Sequence, residues 1–395
     1  MYDRSGGVFT GYRRTMEPDA LAVEGVDLEK LRRWMDGRAL GDGPLSEVAL
    51  ITGGTQNILL SFERSGRRYV LRRPPVHKRA NSDETMRREA RVLAALADTA
   101  VPHPGLIAAE PDPELLGASF YLMEPVDGFN VTLGMPPQYA DQPAWQHQMG
   151  LSMADAIGAL AGIDHVAVGL GDLGRSEGWA ERQVSRWRKQ LEGYSELPGY
   201  PGPDIPGVDR VGEWLDARLP RNVRIGIIHG DFHFSNVMMS YDAPRLAAIV
   251  DWELVTLGDP LLDLGHLLAT WPVQNAAAVG VFAAGLPSID DVIARYAAAN
   301  PRPLDDLPFV VNGLGAEDIA ARVPQESLLI GVSCMFSCEW IVHKRVIEAM
   351  WARGWMFYNF IGEGGCRLMC SWDTSEDDVR RFASDLAASM DAARR

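Results

Sequence analysis

The chain has 395 residues and a formal net charge of −15 at pH 7, long enough to bury a large core divided into more than one lobe. An acidic balance of this size opposes a phosphate backbone, so nucleic acid is excluded as a partner. No apolar run reaches the roughly 18 residues a membrane span needs, and Met1–Pro18 lacks the apolar core of a signal peptide, so a cytoplasmic protein without a membrane partner is expected.

In chain order, Met1–Ala22 reads as an extended arm, after which Asp27 caps a helix over LEKLRRWMD with Leu28, Leu31 and Trp34 on one face. Ser46–Thr52 and Asn57–Glu63 alternate as strands around Gly53-Gly54-Thr55-Gln56. A turn over Arg64–Arg67 leads to a third strand, Arg68–Arg72. A Gly-rich turn suits a lid over nucleotide phosphates, because backbone N–H groups approach phosphate oxygens closely only where no Cβ intervenes. A plain hairpin turn is the alternative. Asn81–Asp98 forms an amphipathic helix with Met86, Val92, Leu93 and Leu96 as its stripe, and Gly105–Glu110 with Phe120–Met123 completes the small sheet. Pro and Gly interrupt Met123-Glu124-Pro125-Val126-Asp127-Gly128, which reads as a connector.

Beyond the connector the pattern turns helical. Helices are expected over Trp145–Ile163, Glu181–Glu192, Val211–Leu219, Asp290–Ala298, Glu317–Ala321, Ser327–Trp351 and Asp377–Ala393. Cys334, Cys338, Cys366 and Cys370 form two i, i+4 pairs that suit one face of a helix. They are read as reduced core thiols rather than a zinc site or a disulfide framework.

The most informative stretch is Ile225–Leu264. Ile225-Gly226-Ile227-Ile228 leads into His229-Gly230-Asp231, and Leu246-Ala247-Ala248-Ile249-Val250 leads into Asp251-Trp252-Glu253. Such short, β-branched runs bounded by turn residues read as buried strands. A carboxylate at the end of a buried strand is costly without a cation, a donor or a metal. Asp231, Asn236 and Asp251 would converge as hard oxygen ligands, suited to Mg²⁺ and phosphates. Asp259 in Gly-Asp-Pro reads as a turn residue. His229, Asp231 and His233 alternate on an extended segment, so a transition-metal hydrolase is a second reading, and a catalytically silent nucleotide-binding module is a third.

H-G-D-F-H-F-S-N, followed by I-V-D-W-E and L-G-D-P-L-L-D-L, resembles the aminoglycoside phosphotransferase family, and D-W-E-L-x-T-L-G-D-P resembles the kinase-like domains associated with acyl-CoA dehydrogenases. The resemblance implies an α+β, two-lobed protein-kinase-like fold, with a small antiparallel-sheet N-lobe and a mostly helical C-lobe. Residues 1–37 would form the arm and first helix, 38–127 the nucleotide-binding N-lobe, and 128–395 the C-lobe with the catalytic loop and acceptor pocket. It implies transfer of the γ-phosphoryl of ATP or GTP, with Mg²⁺, to a hydroxyl of an amino sugar, a small alcohol or a hydroxyacyl compound, and a functional link to an acyl-CoA dehydrogenase. Asp231 would be the catalytic base, Asn236 and Asp251 the metal ligands, and His229 and Asp263 the braces of the loop. Arg72 stands where kinase-like folds carry the strand lysine, and Glu89 where the helix glutamate pairs with it. Gly53, Gly54 and Thr55 would cover the phosphates, and Met123, Glu124 and Val126 would meet the base.

Overall fold

The computed structural model describes residues 13–15, 25–51, 57–196, 208–217, 219–271 and 283–304, with short stretches between 338 and 389. They form two compact units. The first gathers Met1–Gly174, Ile225–Leu264 and Ala284–Pro301; the second gathers Arg175–Arg224, Gly265–Ala283 and Arg302–Arg395.

The first unit opens with strand β1 (Arg13–Thr15), which pairs antiparallel with β2 (Ser46–Ile51), so the extended arm contributes an edge to the sheet. Helix α1 (Leu28–Asp36) lies between them, and the Asp27 carboxylate accepts from the Lys30 N–H at 2.9 Å as its N-cap. Strands β3 (Ile58–Arg64) and β4 (Arg67–Arg73) follow, then helix α2 (Ser82–Leu96), β5 (Leu106–Glu110) and β6 (Phe120–Met123). The sheet runs β1-β2-β3-β4-β6-β5 and is antiparallel at every pairing.

Alternation along β4 decides what this sheet does. Tyr69 and Leu71 join Leu31, Trp34 and Met35 of α1 with Leu60, Phe62, Phe120 and Leu122 in one core. Side chains one residue on point the opposite way, which turns Arg72 to the face that carries α2. Burying apolar side chains of this size against one another is worth about 1.5–3 kcal/mol each, and it is this packing that holds Arg72 in register.

After the connector come α3 (Pro137–Ala140) and α4 (Pro143–Ala161), against which α8 (Ile289–Ala299) packs; the exposed Arg295–Asp155 pair, at 2.6 and 2.9 Å, ties the two. The motif stretch forms two small antiparallel pairs. Strand β7 (Gly226–Ile228) pairs with β10 (Thr256–Gly258), and β8 (Val237–Met239) with β9 (Leu246–Ile249). β7 and β9 are the two apolar runs expected as strands. Helix α7 (Leu261–Ala269) follows β10.

The second unit holds α5 (Gln183–Gly193) and α6 (Val208–Asp216). It also holds a three-stranded sheet of β11 (Cys338–Ile341), β12 (Tyr358–Ile361) and β13 (Gly365–Leu368) in the order β11-β13-β12. The expected helix over Ser327–Trp351 is therefore corrected, because 338–341 is a strand. The helical placement of the cysteine pairs falls with it: Cys338 and Cys366 stand on neighbouring strands, opposite Leu368 and Trp340. Short runs rich in aromatic and β-branched residues do not separate helix from strand by periodicity alone. Cys334, Cys370 and the helix expected over Glu317–Ala321 lie outside the described residues, whereas those described between 380 and 389 are helical.

Candidate active site

Two loops carry the motif residues, one between β7 and β8 and one between β9 and β10. In the first, His229 is fully buried. Its Nε2 lies 3.0 Å from the Val250 carbonyl and its Nδ1 3.3 Å from the Asp231 N–H. A carbonyl only accepts, so the hydrogen is on Nε2 and the ring is neutral. Burial pushes its pKa down to about 4, and the Val250 contact opposes that only in part. The Asp263 carboxylate, also buried, accepts from the N–H groups of His229 at 2.7 Å and Gly230 at 2.9 Å. Burial raises its pKa to about 6, against the pull of those two donors.

This bracing presents Asp231, whose side chain is 37 % exposed. Asn236 Nδ2 donates to the Asp231 carbonyl and to its Oδ2, both at 2.9 Å. His233 Nδ1 accepts from the Ser235 N–H at 3.2 Å, which puts the ring hydrogen on Nε2, 3.3 Å from Asp231 Oδ1. Gly230 turns the chain at φ +87°, and a Cβ there would stand 2.8 Å from the Leu254 carbonyl. Only glycine takes that turn without strain.

In the second loop Asp251 has left-handed backbone angles, φ 65° and ψ 60°, a conformation Asp tolerates better than most residues. Arg72 Nη2 donates to its Oδ1 at 2.6 Å across 179 residues of sequence. The same guanidinium stands 2.9 Å, through Nε, from Glu89 Oε2, and Tyr121 donates to that oxygen at 2.8 Å. Burial works against the Arg72 charge, but Glu89, Tyr121 and Asp251 outweigh it and hold the group protonated. Burial also pushes the Glu89 carboxyl up, with Arg72 and Tyr121 opposing. Arg88, next to Glu89 on α2, donates to the Glu253 carbonyl. The buried Trp252 donates to the Ile249 carbonyl at 3.0 Å and packs edge-on against His229 at 5.0 Å, so the loops touch. Val250 N–H donates to the Asn236 carbonyl at 3.0 Å.

Both hydrogens of the Asn236 amide are spent on Asp231, which turns Oδ1 the other way, and that oxygen has no partner among the described residues. Together with the Asp251 carboxylate it makes a hard-oxygen set that fits Mg²⁺. The hydrolase set does not come together as read: both ring nitrogens of His229 are engaged, so it has no lone pair to offer a metal beside Asp231 and His233.

Of the remaining expected site residues, Gly53, Gly54 and Thr55 lie outside the described residues. Met123 ends β6 as a buried residue. The Glu124 N–H is taken by the Gly105 carbonyl at 2.8 Å, and its exposed side chain meets Arg67 at 3.0 Å. Val126 is buried against Met238 and Ala248. Asp259 accepts from the Leu261 N–H at 3.0 Å, a turn role at the start of α7.

Sequence reasoning missed three contributors, Tyr121, Arg88 and Asn130. The Asn130 side chain reaches the Ser235 carbonyl at 2.7 Å and the Val237 carbonyl at 3.2 Å. Asn-x-Thr is a capping pattern visible in the sequence, but it does not reveal partners more than a hundred residues away.

Residues 47–299 match the model of the phosphotransferase enzyme family, APH. The chain belongs to this family. It has the α+β protein-kinase-like fold. A candidate aminoglycoside phosphotransferase of Ralstonia eutropha JMP134 superposes with a TM-score of 0.59 at 28% identity, covering 77% of this chain and 93% of that one. Among curated proteins, probable acyl-CoA dehydrogenase IBR3 of Arabidopsis thaliana is 31% identical over 67% of this chain and 32% of its own length. Acyl-CoA dehydrogenase family member 11 of Homo sapiens is 29% identical over 70% and 36%, and member 10 of Mus musculus 27% over 70% and 26%. The phosphotransferase chain thus spans about a quarter to a third of the length of these relatives.

Proposed function

We propose that the chain moves the γ-phosphoryl group of ATP or GTP to a hydroxyl of a small molecule, with residues 38–127 on the nucleotide side and 128–395 on the acceptor side. The observation that carries this reading is the half-exposed Asp231 carboxylate, held on both oxygens by neutral donors beside the open Oδ1 of Asn236.

Asp231 receives the proton of the acceptor hydroxyl as that oxygen bonds to the γ-phosphorus and the bond to the β,γ-bridging oxygen breaks. Asn236 and Asp251 would hold Mg²⁺, which supplies neutralisation of phosphate charge when bound. Arg72, kept charged by Glu89 and Asp251, offers a fixed guanidinium to the phosphates, and Val126 with Met238 and Ala248 forms an apolar floor for the base. His229 and Asp263 hold the loop and exchange no proton with substrate. Because the curated relatives are named as acyl-CoA dehydrogenases, a hydroxyacyl compound is the first acceptor class to test, ahead of amino sugars and small alcohols.

ADP release across a library of these alcohols, with Asp231→Asn as control, tests the reading. One acceptor should release ADP well above the Asp231→Asn background in a Mg²⁺-dependent manner. Turnover that Asp231→Asn leaves intact would reject the assignment.

A further inference from the structure

One residue that holds the first loop of this site is not among its motif residues. Asn130 lies two positions after Gly128, on the segment that leaves the connector, and caps a short 3-10 turn over Val131–Leu133. Its Oδ1 accepts from the Thr132 N–H at 2.9 Å and from the Thr132 hydroxyl. That fixes the amide's orientation and aims Nδ2 at three consecutive-turn carbonyls, Ser235 at 2.7 Å, Val237 at 3.2 Å and Phe234 at 3.5 Å. Ser235 and Val237 flank Asn236 on either side.

The surrounding backbone brings the two segments together. Phe129 and Met239 exchange N–H···O bonds of 2.8 Å in both directions. A Cβ on Gly128 would stand 2.6 Å from the Met239 carbonyl, so the chains meet there as only glycine permits. The Asn236 backbone is itself held by the His233 carbonyl and the Val250 N–H, both at 3.0 Å. The clasp from Asn130 supplies the remaining side.

We infer that Asn130 is a positioning residue for the metal ligand Asn236: it holds the carbonyls on either side of that residue and thereby sets where Oδ1 points, tying the segment that follows the connector to the metal side of the site. The inference rests on the proposal that Asn236 ligates the metal. Residues that orient a ligand without touching the ion commonly change metal affinity 10–100-fold when altered.

Asn130→Ser separates positioning from simple capping. A serine oxygen still accepts from the Thr132 N–H, so the 3-10 turn keeps its cap, while the amide donors to Ser235 and Val237 are gone. Thr132→Val removes only the hydroxyl contact and leaves both the backbone cap and the amide donors in place. Mn²⁺ binding in the presence of a non-hydrolysable ATP analogue, followed by electron paramagnetic resonance, reads the metal site without catalysis. Asn130→Ser should raise the Mn²⁺ dissociation constant about tenfold in protein that is still fully folded at the assay temperature, and Thr132→Val should leave it at the wild-type value. Equal Mn²⁺ affinity in wild type and Asn130→Ser would overturn the inference while leaving the metal site intact, provided Asp251→Ala abolishes binding in parallel. Should wild type itself bind no Mn²⁺ with the analogue, the metal assignment fails and the role of Asn130 fails with it. If Asn130→Ser does not fold, Asn130→Asp serves: it keeps the cap, sets a carboxylate against the same carbonyls, and must weaken Mn²⁺ binding for the inference to stand.

Discussion

The two loops of the site are held by different forces. The loop from His229 to Asn236 is fastened mainly by neutral groups, with a neutral imidazole, backbone N–H groups and the amides of Asn130 and Asn236 doing most of the holding. Asp263 is its buried carboxylate anchor among the described residues, set against two backbone donors. The loop from Asp251 to Leu254 is fastened by charge, through a buried guanidinium shared between Glu89 and Asp251 and a second arginine on α2. Hydrogen bonds between neutral groups hold geometry at modest individual worth. A buried ion pair contributes little net stability yet is expensive to break from one side. The first loop is thus built to keep a carboxylate aimed, and the second to keep opposite charges available for exchange.

The largest expected effect lies at the tip of the first loop. Asp231→Asn preserves shape and removes the proton acceptor. Turnover should fall at least roughly a hundredfold, the lower end of what general-base catalysis contributes. Calorimetry should show nucleotide affinity close to wild type, because the amide that replaces the carboxylate adds no charge near the phosphates. Loss of nucleotide binding together with turnover would mean that the carboxylate serves the second loop's purpose, and the contrast between the loops would collapse.

Next comes the guanidinium. Arg72→Ala leaves Glu89 buried without its partner, a situation that costs about 3–5 kcal/mol, measurable by denaturant titration. Arg72→Lys should keep much of the turnover, since a charge remains between Glu89 and Asp251. Arg73 is the control on the opposite face: it is buried and donates to the Pro74 and Leu116 carbonyls at 3.0 Å each. Arg73→Ala should lower stability while the folded enzyme turns over normally. Equal loss of turnover from both changes would place charge-based holding outside the second loop.

How much of this could be read from sequence follows the same division. The strand ends, Asp231, Asn236 and Asp251 were legible because short apolar runs ending in carboxylates demand an explanation. Arg72 and Glu89 came through the order of elements and a family resemblance, while their burial together with Tyr121 depends on the β4–β6 register, where Arg72 stands opposite Tyr121. Asn130 and Arg88 were illegible, since their partners are backbone carbonyls, which every residue has. In the second unit the sequence pattern does not reveal β11, because Cys338-Glu339-Trp340-Ile341 is too short for its period to separate strand from helix.

The third prediction is a pH signature of the first loop. The folded-state pKa of Asp263 is raised from 3.8 to about 6, so its contribution to stability is lost as pH rises from about 4 to about 6. His229 is lowered from 6.5 to about 4, so its contribution is lost as pH falls from about 6.5 to about 4. Each is on the order of 3 kcal/mol, and in wild type they nearly cancel. Asp263→Asn should therefore make stability climb with pH between about 4.5 and about 6.5 relative to wild type, and His229→Asn should make it decline. Denaturant titrations at the two pH values check this; parallel profiles in all three proteins would show that neither group is buried as described.

The smallest effect tests whether the charge-held loop depends on α2 as a whole or on its buried face alone. Arg91, on the same helix as Arg88 and Glu89, is exposed and forms a close pair with Asp172 while also donating to the Gly169 carbonyl at 2.5 Å. An exposed pair of this kind contributes roughly 0.2–1 kcal/mol and weakens with salt. Arg91→Ala should cost no more than about 1 kcal/mol, and turnover should be near wild type, because Arg88 and Glu89 still hold α2 against the Asp251 loop. The expected loss of stability should also shrink in molar salt, whereas that of Arg72→Ala should not, since Glu89 is shielded from solvent ions. If Arg91→Ala instead lowers turnover as strongly as Arg72→Ala, the position of α2 is set from its exposed end, and the buried ion pair follows that position rather than fixing it.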